Sequence, residues 1–256
     1  MAGTAQVGQS NYLDCAPMVL DRTEGWGYMS RPGPVYEEAG TWYLAGLEAV
    51  RFAQRNPEIF SSAKGYDLGS PVPMLPIMID PPDHARYRRI LDPLLSPKVV
   101  DALEDGLRSQ AAALIDAFAG SGQCDVVKDL AQLFAPQALL TLFGLPVEDR
   151  DQLRTWGELL LSQSHEAASE AQHNAGLALV AYLQDHLERK RRRPGEDMLS
   201  RIMAITGEER WSDTELLGMC ITFVLAAIDA TSSAIGFIFY HLALRPSLRR
   251  RVIDDP

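Results

Sequence analysis

The sequence has few cysteines and lacks several familiar catalytic motifs. Cys15, Cys124 and Cys220 are its only cysteines among 256 residues, and they are far apart. Such spacing suits neither a disulfide framework nor a zinc site, so we expect a reducing compartment. No Walker loop, dinucleotide-binding glycine pattern or Gly-x-Ser-x-Gly elbow is present, which argues against nucleotide-binding and hydrolase folds that depend on them.

The chain also lacks an excess of basic residues. It has 24 Lys and Arg against 34 Asp and Glu, a net charge of −10. This balance argues against nucleic acid and anionic lipid as partners. One basic run, at 189–193, precedes Pro194 and Gly195. Because cations complement the carboxyl end of a helix, we interpret this run as a helix terminus.

No uncharged apolar run is long enough for a membrane span. The longest candidate, 216–228, has thirteen residues and is followed by Asp229. A bilayer requires about twenty such residues, and a carboxylate near the middle of a span is costly. The amino end is polar and mixed, without the pattern of a secretory signal. We therefore expect no membrane association and a cytoplasmic location.

The most prominent feature is an apolar pattern over 212–245, which predicts one long central helix. Ser212 stands three residues before Glu215, the spacing of a capping box, and Pro246 cannot continue the helical hydrogen bonds. About thirty residues at the helical rise would extend roughly 50 Å, enough to cross a domain.

Polar residues interrupt the middle of this helix, directly after the small pair Ala226 and Ala227. They are Asp229, Thr231, Ser232 and Ser233. One interpretation is structural: the hydroxyls bond back to carbonyls one turn earlier and bend the helix, while Asp229 meets a basic partner. The other is an active-site groove, in which an acid beside an alcohol relays protons.

The remaining chain reads as mainly helical. Aromatic and β-branched residues around Gly40 predict a hairpin over 35–44, followed by a helix over 48–56. The segment 60–76 has no periodicity, so it is a binding or lid loop, or disordered. Further helices are predicted over 98–120, 125–144 with a kink or break at Pro136, 148–164, 166–193 and 197–206. No linker divides the chain, so we expect one domain over 1–256.

A second candidate site lies in the segment 79–97. Pro81 and Pro82 form a rigid turn, Asp83 is the predicted N-cap, and a helix follows. His84 and Arg88 are four residues apart and share one face, which suits a carboxylate or phosphate ligand better than a metal. The alternative is that the nearby cations are simply solvated: Arg86, Arg88 and Arg89.

The order of these motifs resembles the cytochrome P-450 family, bacterial soluble type. The motifs are the hairpin, Phe60-Ser61-Ser62, the DPPDHARYRR helix and the acid-alcohol break in a long helix, and the resemblance runs from about Pro34 onward. It implies a P-450-like helical fold with a small hairpin. It also implies a heme-dependent monooxygenase that inserts one oxygen atom of O2 into a small hydrophobic substrate.

The resemblance also implies roles for particular residues. His84 and Arg88 match positions that contact the heme propionates, and Ala226 and Ala227 match the small residues over the oxygen site. Asp229 and Thr231 would form a proton relay, although the family's threonine directly after the acid is alanine in this chain. Loop 65–78 and the helices around 160–179 would shape the substrate pocket. Electrons would come from a separate partner, such as ferredoxin and its reductase.

The family's Glu-x-x-Arg helix and its Phe-x-x-Gly-x-x-x-Cys loop have no counterpart in these residues. The loop carries the thiolate that ligates the heme iron, so we expect no metal ligand in this chain. The chain is therefore interpreted as the incomplete, amino-terminal part of such a domain, truncated after the central helix. The alternative is a heme-free truncated helical protein that serves as a binding or interaction module.

Overall fold

A computed structural model describes residues 20–38, 40–63, 72–161 and 170–255. The chain divides into two compact units, Met1–Gly65 and Tyr66–Pro256. The expected single domain over 1–256 stays a prediction. Cys15, loop residues 64–71 and the segment 162–169 lie outside the described residues.

The first unit contains the predicted hairpin between two short helices. It comprises α1 (Arg22–Met29), β1 (Val35–Glu38), β2 (Thr41–Leu44) and α2 (Leu47–Arg55). The strands pair antiparallel, with Val35 opposite Leu44. Gly40 forms the turn at φ +80°, a left-handed conformation that glycine adopts without steric cost. The hairpin and the helix after it are therefore confirmed.

Where the second unit is described, all of its regular structure is helical. Its elements are α3 (Asp83–Leu94), α4 (Pro97–Asp101), α5 (Glu104–Ala119), π1 (Val126–Ala131), α6 (Gln132–Phe143), α7 (Arg150–Leu161), α8 (Glu170–Arg192), α9 (Met198–Met203), α10 (Asp213–Ala226), π2 (Ala227–Thr231), α11 (Ser232–Leu244) and α12 (Pro246–Asp254). Short 3₁₀ turns, Val147–Asp149 and Gly207–Glu209, precede α7 and α10. The mainly α class is confirmed.

The core of this unit surrounds α10. Its buried apolar side chains meet those of α6, α7, α8 and α9 in one cluster. The most enclosed members include Phe143, Leu179 and Met219. Gly218 lets the 72–82 segment come close, because a Cβ at this position would lie 2.2 Å from the Pro73 carbonyl oxygen. The core thus places the first half of the central helix at the centre of the unit.

Three local predictions are corrected. Asp83 is the first residue of α3, not its N-cap, which is Pro82. The single helix expected over 98–120 is two helices, α4 and α5. Pro136 lies inside α6, and the irregularity comes one turn earlier as π1. Proline at 136 removes only the hydrogen bond to the Gln132 carbonyl, and the buried packing of α6 around it keeps the helix continuous.

The basic run ends α8, as predicted, and four of its five cations are paired with described residues. Arg189 contacts Asp185 at 2.7 Å, Arg192 contacts Glu188 at 3.7 Å, and Arg191 pairs with Asp213. The buried Lys190 Nζ donates to Asp197 at 2.7 Å and to the Gly144 carbonyl at 2.9 Å. The run therefore serves the fold, since it joins α8 to α6, α9 and α10.

Two helical stretches are long and apolar enough to cross a membrane by length and composition alone. They are Val126–Phe143 and Asp213–Leu244, with 44% and 33% of their most apolar windows buried in the protein. Core helices of globular proteins meet the same criterion, so this finding is weak support for a span. The second stretch exceeds the uncharged run considered in the sequence because it includes Asp229.

Candidate functional site

The central helix is three consecutive segments, α10, π2 and α11, rather than one uninterrupted α-helix. Its amino end is the predicted capping box: the Glu215 amide donates to Ser212 Oγ at 3.2 Å, and the Ser212 amide donates to Glu215 Oε2 at 2.6 Å. Its carboxyl end comes at Leu244, ahead of Pro246. The predicted start and stop are confirmed, and the break falls at the polar cluster.

The turn π2 brings three of the predicted site residues together. Ala227, Asp229 and Thr231 belong to it, and Ala226 directly precedes it. Asp229 and Ala226 are exposed, whereas Ala227 and Thr231 are half-buried. The Asp229 carboxylate is therefore open to solvent on one side of the helix. The physical reason is that packing covers only one side of this turn, where Ile228 is buried.

The serine hydroxyls around π2 make other bonds than the structural interpretation predicted. Ser232 Oγ donates to the Ala131 carbonyl at 3.2 Å, across to π1, and Ser233 Oγ lies 3.5 Å from Asp229 Oδ1. No ion pair to Asp229 is found within the described ranges. Neither bending by back-bonded serines nor a basic partner accounts for this cluster.

A cavity of about 630 Å³ opens beside Asp229. Its walls come from π1, α7 and α11, and its lining is mostly apolar, including Leu161, Ile228 and Phe237. Asp229, Glu158 and Tyr240 add polar groups. Ala226, Ala227 and Thr231 do not line this cavity. Asp229 therefore faces a space that can hold water or a ligand, on the side of the helix near α7.

The second group of site residues is on α3. His84 and Arg88 share one face, as predicted. Arg88 Nε lies 2.8 Å from Asp92, and both side chains are about half exposed. Within the described chain, the His84 imidazole has no hydrogen-bond partner. Two donors on one face can bind a carboxylate. Among the described residues, no hydrogen bond or ion pair joins His84 or Arg88 to π2.

The opposite side of α3 is fixed to the beginning of α10 by a carboxylate. Arg86 Nη1 and the Tyr87 hydroxyl both donate to Glu215 Oε1 at 2.6 Å. Burial works to raise the pKa of Glu215, but hydrogen bonds from Tyr87, the Ser212 amide and Arg86 outweigh it and lower the pKa to about 2. Burial, with the bond to Glu215, raises the pKa of Tyr87 to about 12.

The described cysteines do not form a thiolate site. Cys220 is buried in α10, and burial raises the pKa of its thiol to about 12, so it stays neutral. Cys124 is exposed. Within the described parts of the chain, no cluster of three or more His, Cys, Asp or Glu side chains could hold a metal ion.

Comparison with known proteins decides the family. The cytochrome P450 family model matches residues 153–255. The probable cytochrome P450 127A1 of Sinorhizobium fredii is 30% identical over 230 residues, which cover 88% of this chain and 55% of that protein. The chain belongs to the cytochrome P450 family. The vitamin D(3) 25-hydroxylase of Pseudonocardia autotrophica is 31% identical, over 73% of this P450 and 46% of its own length.

Solved structures agree with this assignment. The crystal structure of CalO2 superposes with a TM-score of 0.81 at 25% identity and covers 94% of this P450 and 65% of that chain. The chain spans about half the length of the curated relatives it matches. Proteins of this family use heme and receive electrons from separate redox partners.

Proposed function

We propose that this P450 chain contributes the propionate-binding and proton-handling residues of a heme-dependent monooxygenase. The observation that carries the proposal is π2, which places Asp229 and Thr231 at the irregular turn of the central helix. Such π turns are rare and occur frequently at functional sites. Ala226 and Ala227 precede the acid with little side-chain bulk, so this turn leaves room for a bound group.

The residues of α3 fit the carboxylates of heme. His84 and Arg88 share a face, and that face is not used by the bonds to Glu215. A cation and a second donor one turn apart suit two neighbouring propionates. His84 and Arg88 would therefore hold the propionates of the cofactor. The bond to Asp92 is made through Arg88 Nε, so the two terminal guanidinium nitrogens can still donate to a propionate.

When bound, heme supplies the oxygen activation that a monooxygenase needs. The protein's part is to deliver protons and to limit water. Asp229 is exposed and faces the cavity, so its carboxylate can exchange protons with solvent. Thr231 follows in the same turn and would pass the proton onward.

The substrate class and partners follow from the relatives. Two are named for hydroxylation, a vitamin D(3) 25-hydroxylase and a mycinamicin IV hydroxylase/epoxidase. We therefore propose that this P450 acts on a hydrophobic organic substrate and uses O2. A ferredoxin with its reductase would supply electrons, in the cytoplasm. A structural neighbour is in complex with a fatty acid carried on an acyl carrier protein, which makes a carrier-bound substrate a second arrangement to test.

The relay is tested by Asp229→Asn in the heme-loaded protein that hydroxylates its substrate. We expect turnover to fall by about 10²-fold, the usual contribution of a positioned acid or base, with substrate affinity changed far less. Ser233→Ala is the matched control, because it removes only the neighbouring hydroxyl. Equal turnover of Asp229→Asn and the parent would remove the relay role.

A heme titration of the 256-residue chain tests the cofactor. We expect weak binding, without the absorption of thiolate-ligated heme after reduction under carbon monoxide. A thiolate spectrum would contradict our assignment of no metal ligand to this chain.

The alternative function, a heme-free interaction module, is favoured by the exposed apolar side chains of α11. Phe237, Ile238 and Leu244 are each more than half exposed. No heme binding at all would favour this module.

A further inference from the structure

One carboxylate joins the helix that carries His84 and Arg88 to the central helix. Glu215 Oε1 accepts from Arg86 Nη1 and from the Tyr87 hydroxyl, both at 2.6 Å. Arg86 Nη2 also donates to the Arg210 carbonyl at 2.9 Å. Charge-assisted bonds of this length are stronger than ordinary hydrogen bonds, so the contact resists separation.

The carboxylate is itself held in place by its own helix. Its second oxygen, Oε2, accepts from the Ser212 amide at 2.6 Å as part of the capping box. Trp211, which is buried, packs edge-on against the ring of Tyr87 at 5.1 Å between centroids. Both oxygens of Glu215 are therefore occupied, and the side chain cannot turn without breaking a bond. We refer to Arg86, Tyr87 and Glu215 as the α3 clamp.

The α3 clamp and the site residues occupy different faces of one helix. At about 100° per residue, His84 and Arg88 lie about 40° apart around the helix axis. Arg86 and Tyr87 are centred about 130° away from that pair. Rotation of α3 about its axis would move both faces together. Holding the clamped face therefore sets the direction in which His84 and Arg88 point.

We propose that Glu215 is a positioning residue for heme: through Arg86 and Tyr87 it fixes the rotation of α3, so that His84 and Arg88 present their donors to the two propionates. The inference rests on the proposed role of this pair in heme binding. Glu215 does not touch the cofactor in this scheme. Its contribution is preorganisation, which lowers the ordering required when the ligand binds.

The test is a ferric heme titration of the 256-residue chain, followed by absorbance. Four proteins are compared: the parent, Glu215→Gln, Glu209→Gln and the double variant His84→Ala/Arg88→Ala. Glu209 pairs with Arg89 of the same helix at 2.7 Å, but on the surface, so its variant is the matched control. We expect Glu215→Gln to weaken heme affinity about tenfold and Glu209→Gln to stay within about twofold.

A second measurement separates positioning from loss of folded protein. At saturating heme, circular dichroism in the Soret region reports how the cofactor is oriented in the protein. We expect Glu215→Gln to change the shape of this band, whereas partial unfolding would only reduce its amplitude. Tyr87→Phe removes one donor and leaves Arg86 in place, so it should give a smaller change of the same kind. It replaces Glu215→Gln if that variant fails to fold.

The two measurements distinguish failure of the propionate contact from failure of the positioning role of Glu215. If the parent binds heme no better than His84→Ala/Arg88→Ala, the proposed propionate contact is overturned, and this inference falls with it. If the parent binds better than the double variant but the folded clamp variants match the parent in affinity and band shape, the positioning role alone is overturned. Weaker binding with an altered band, absent in Glu209→Gln, supports it.

Discussion

The two halves of the central helix have similarly apolar sequences but opposite surroundings. In α10, nine residues are buried, from Leu216 to Leu225. In α11, Ser232 is the one buried residue among those described, and Phe237, Ile238 and Tyr240 are each 57% exposed. The neighbouring elements cause this difference in burial. Helices α6, α7 and α8 pack against α10, whereas α11 packs mainly on π1. Apolar composition predicts a buried helix only where other elements cover it.

The boundary between the halves is also where the site lies. π2 has one covered face, held by Ile228, and one open face that carries Asp229. Substitutions that destabilised the protein equally in α10 and in α11 would contradict this difference in burial.

The largest effect on stability is expected when a leucine is replaced by alanine in each half of the central helix. Leu217→Ala in α10, at 6% exposure, should lower the free energy of unfolding by about 2 to 5 kcal/mol, because it leaves a cavity in the core. Leu244→Ala in α11, at 61% exposure, should cost no more than about 0.5 kcal/mol. Urea denaturation followed by circular dichroism measures both. Similar losses at the two positions would show that α11 is covered in solution.

The second prediction concerns the junction. A Cβ at Gly157 of α7 would lie 2.3 Å from Ile228 Cδ1, the end of a side chain that can rotate, so Gly157→Ala should destabilise the fold by about 1 kcal/mol through overpacking. Ile228→Val removes that methyl carbon, so it should recover part of the loss in the double variant. Gly176→Ala on α8 is the control, because its Cβ would meet Leu160 at an ordinary 3.7 Å. Equal effects of the two alanines would argue against this close approach.

A similar effect is expected at the one buried residue of α11. Ser232→Ala removes the hydrogen bond to the Ala131 carbonyl and should cost about 1 kcal/mol. Ser233→Ala, at an exposed neighbouring position, should change stability by less than about 0.5 kcal/mol. Thermal or urea unfolding of the pair provides the comparison. If Ser233→Ala costs as much as Ser232→Ala, the contact with π1 does not hold α11.

The last predicted effect is a loss of stability at acid pH, where the Glu215 carboxylate at the start of α10 becomes protonated. The folded-state pKa of Glu215 is lowered to about 2, so the unfolded chain binds its proton first, near a pKa of about 4.3. Stability from this carboxylate is therefore present above about pH 4.3 and is lost as the pH falls towards about 2. The stability difference between parent and Glu215→Gln should shrink over that window. A difference that stays constant down to pH 2 would contradict the lowered pKa.

Local sequence signals predicted the ends of the central helix but not its contacts. Ser212 and Glu215 are three residues apart, so their capping box is readable from spacing alone, as is the stop at Pro246. The bonds from Glu215 to Arg86 and Tyr87 join residues about 130 positions apart. No periodicity records such a pairing, because it depends on how α3 docks. Sequence reasoning therefore missed the α3 clamp.

The same limit applies to the site. The sequence predicted a polar break at Asp229 and a shared face for His84 and Arg88, and both are present. It did not predict a π turn, since the widening of a helix depends on packing by neighbours such as Ile228 against Gly157. Nor could it predict that Asp229 is exposed, because exposure depends on which elements pack against α11.

Trp211 offers an optical consequence of the α3 clamp. It is 3% exposed and lies against Tyr87, whereas Trp26 and Trp42 are 52% and 70% exposed. A shielded indole emits at shorter wavelength than a hydrated one, so the blue edge of the intrinsic fluorescence should come from Trp211 together with the half-buried Trp156. When the Arg86 and Tyr87 contacts to Glu215 open, water reaches the Trp211 indole and its emission shifts to the red. The fluorescence of Trp211 therefore reports whether α3 and α10 are in contact.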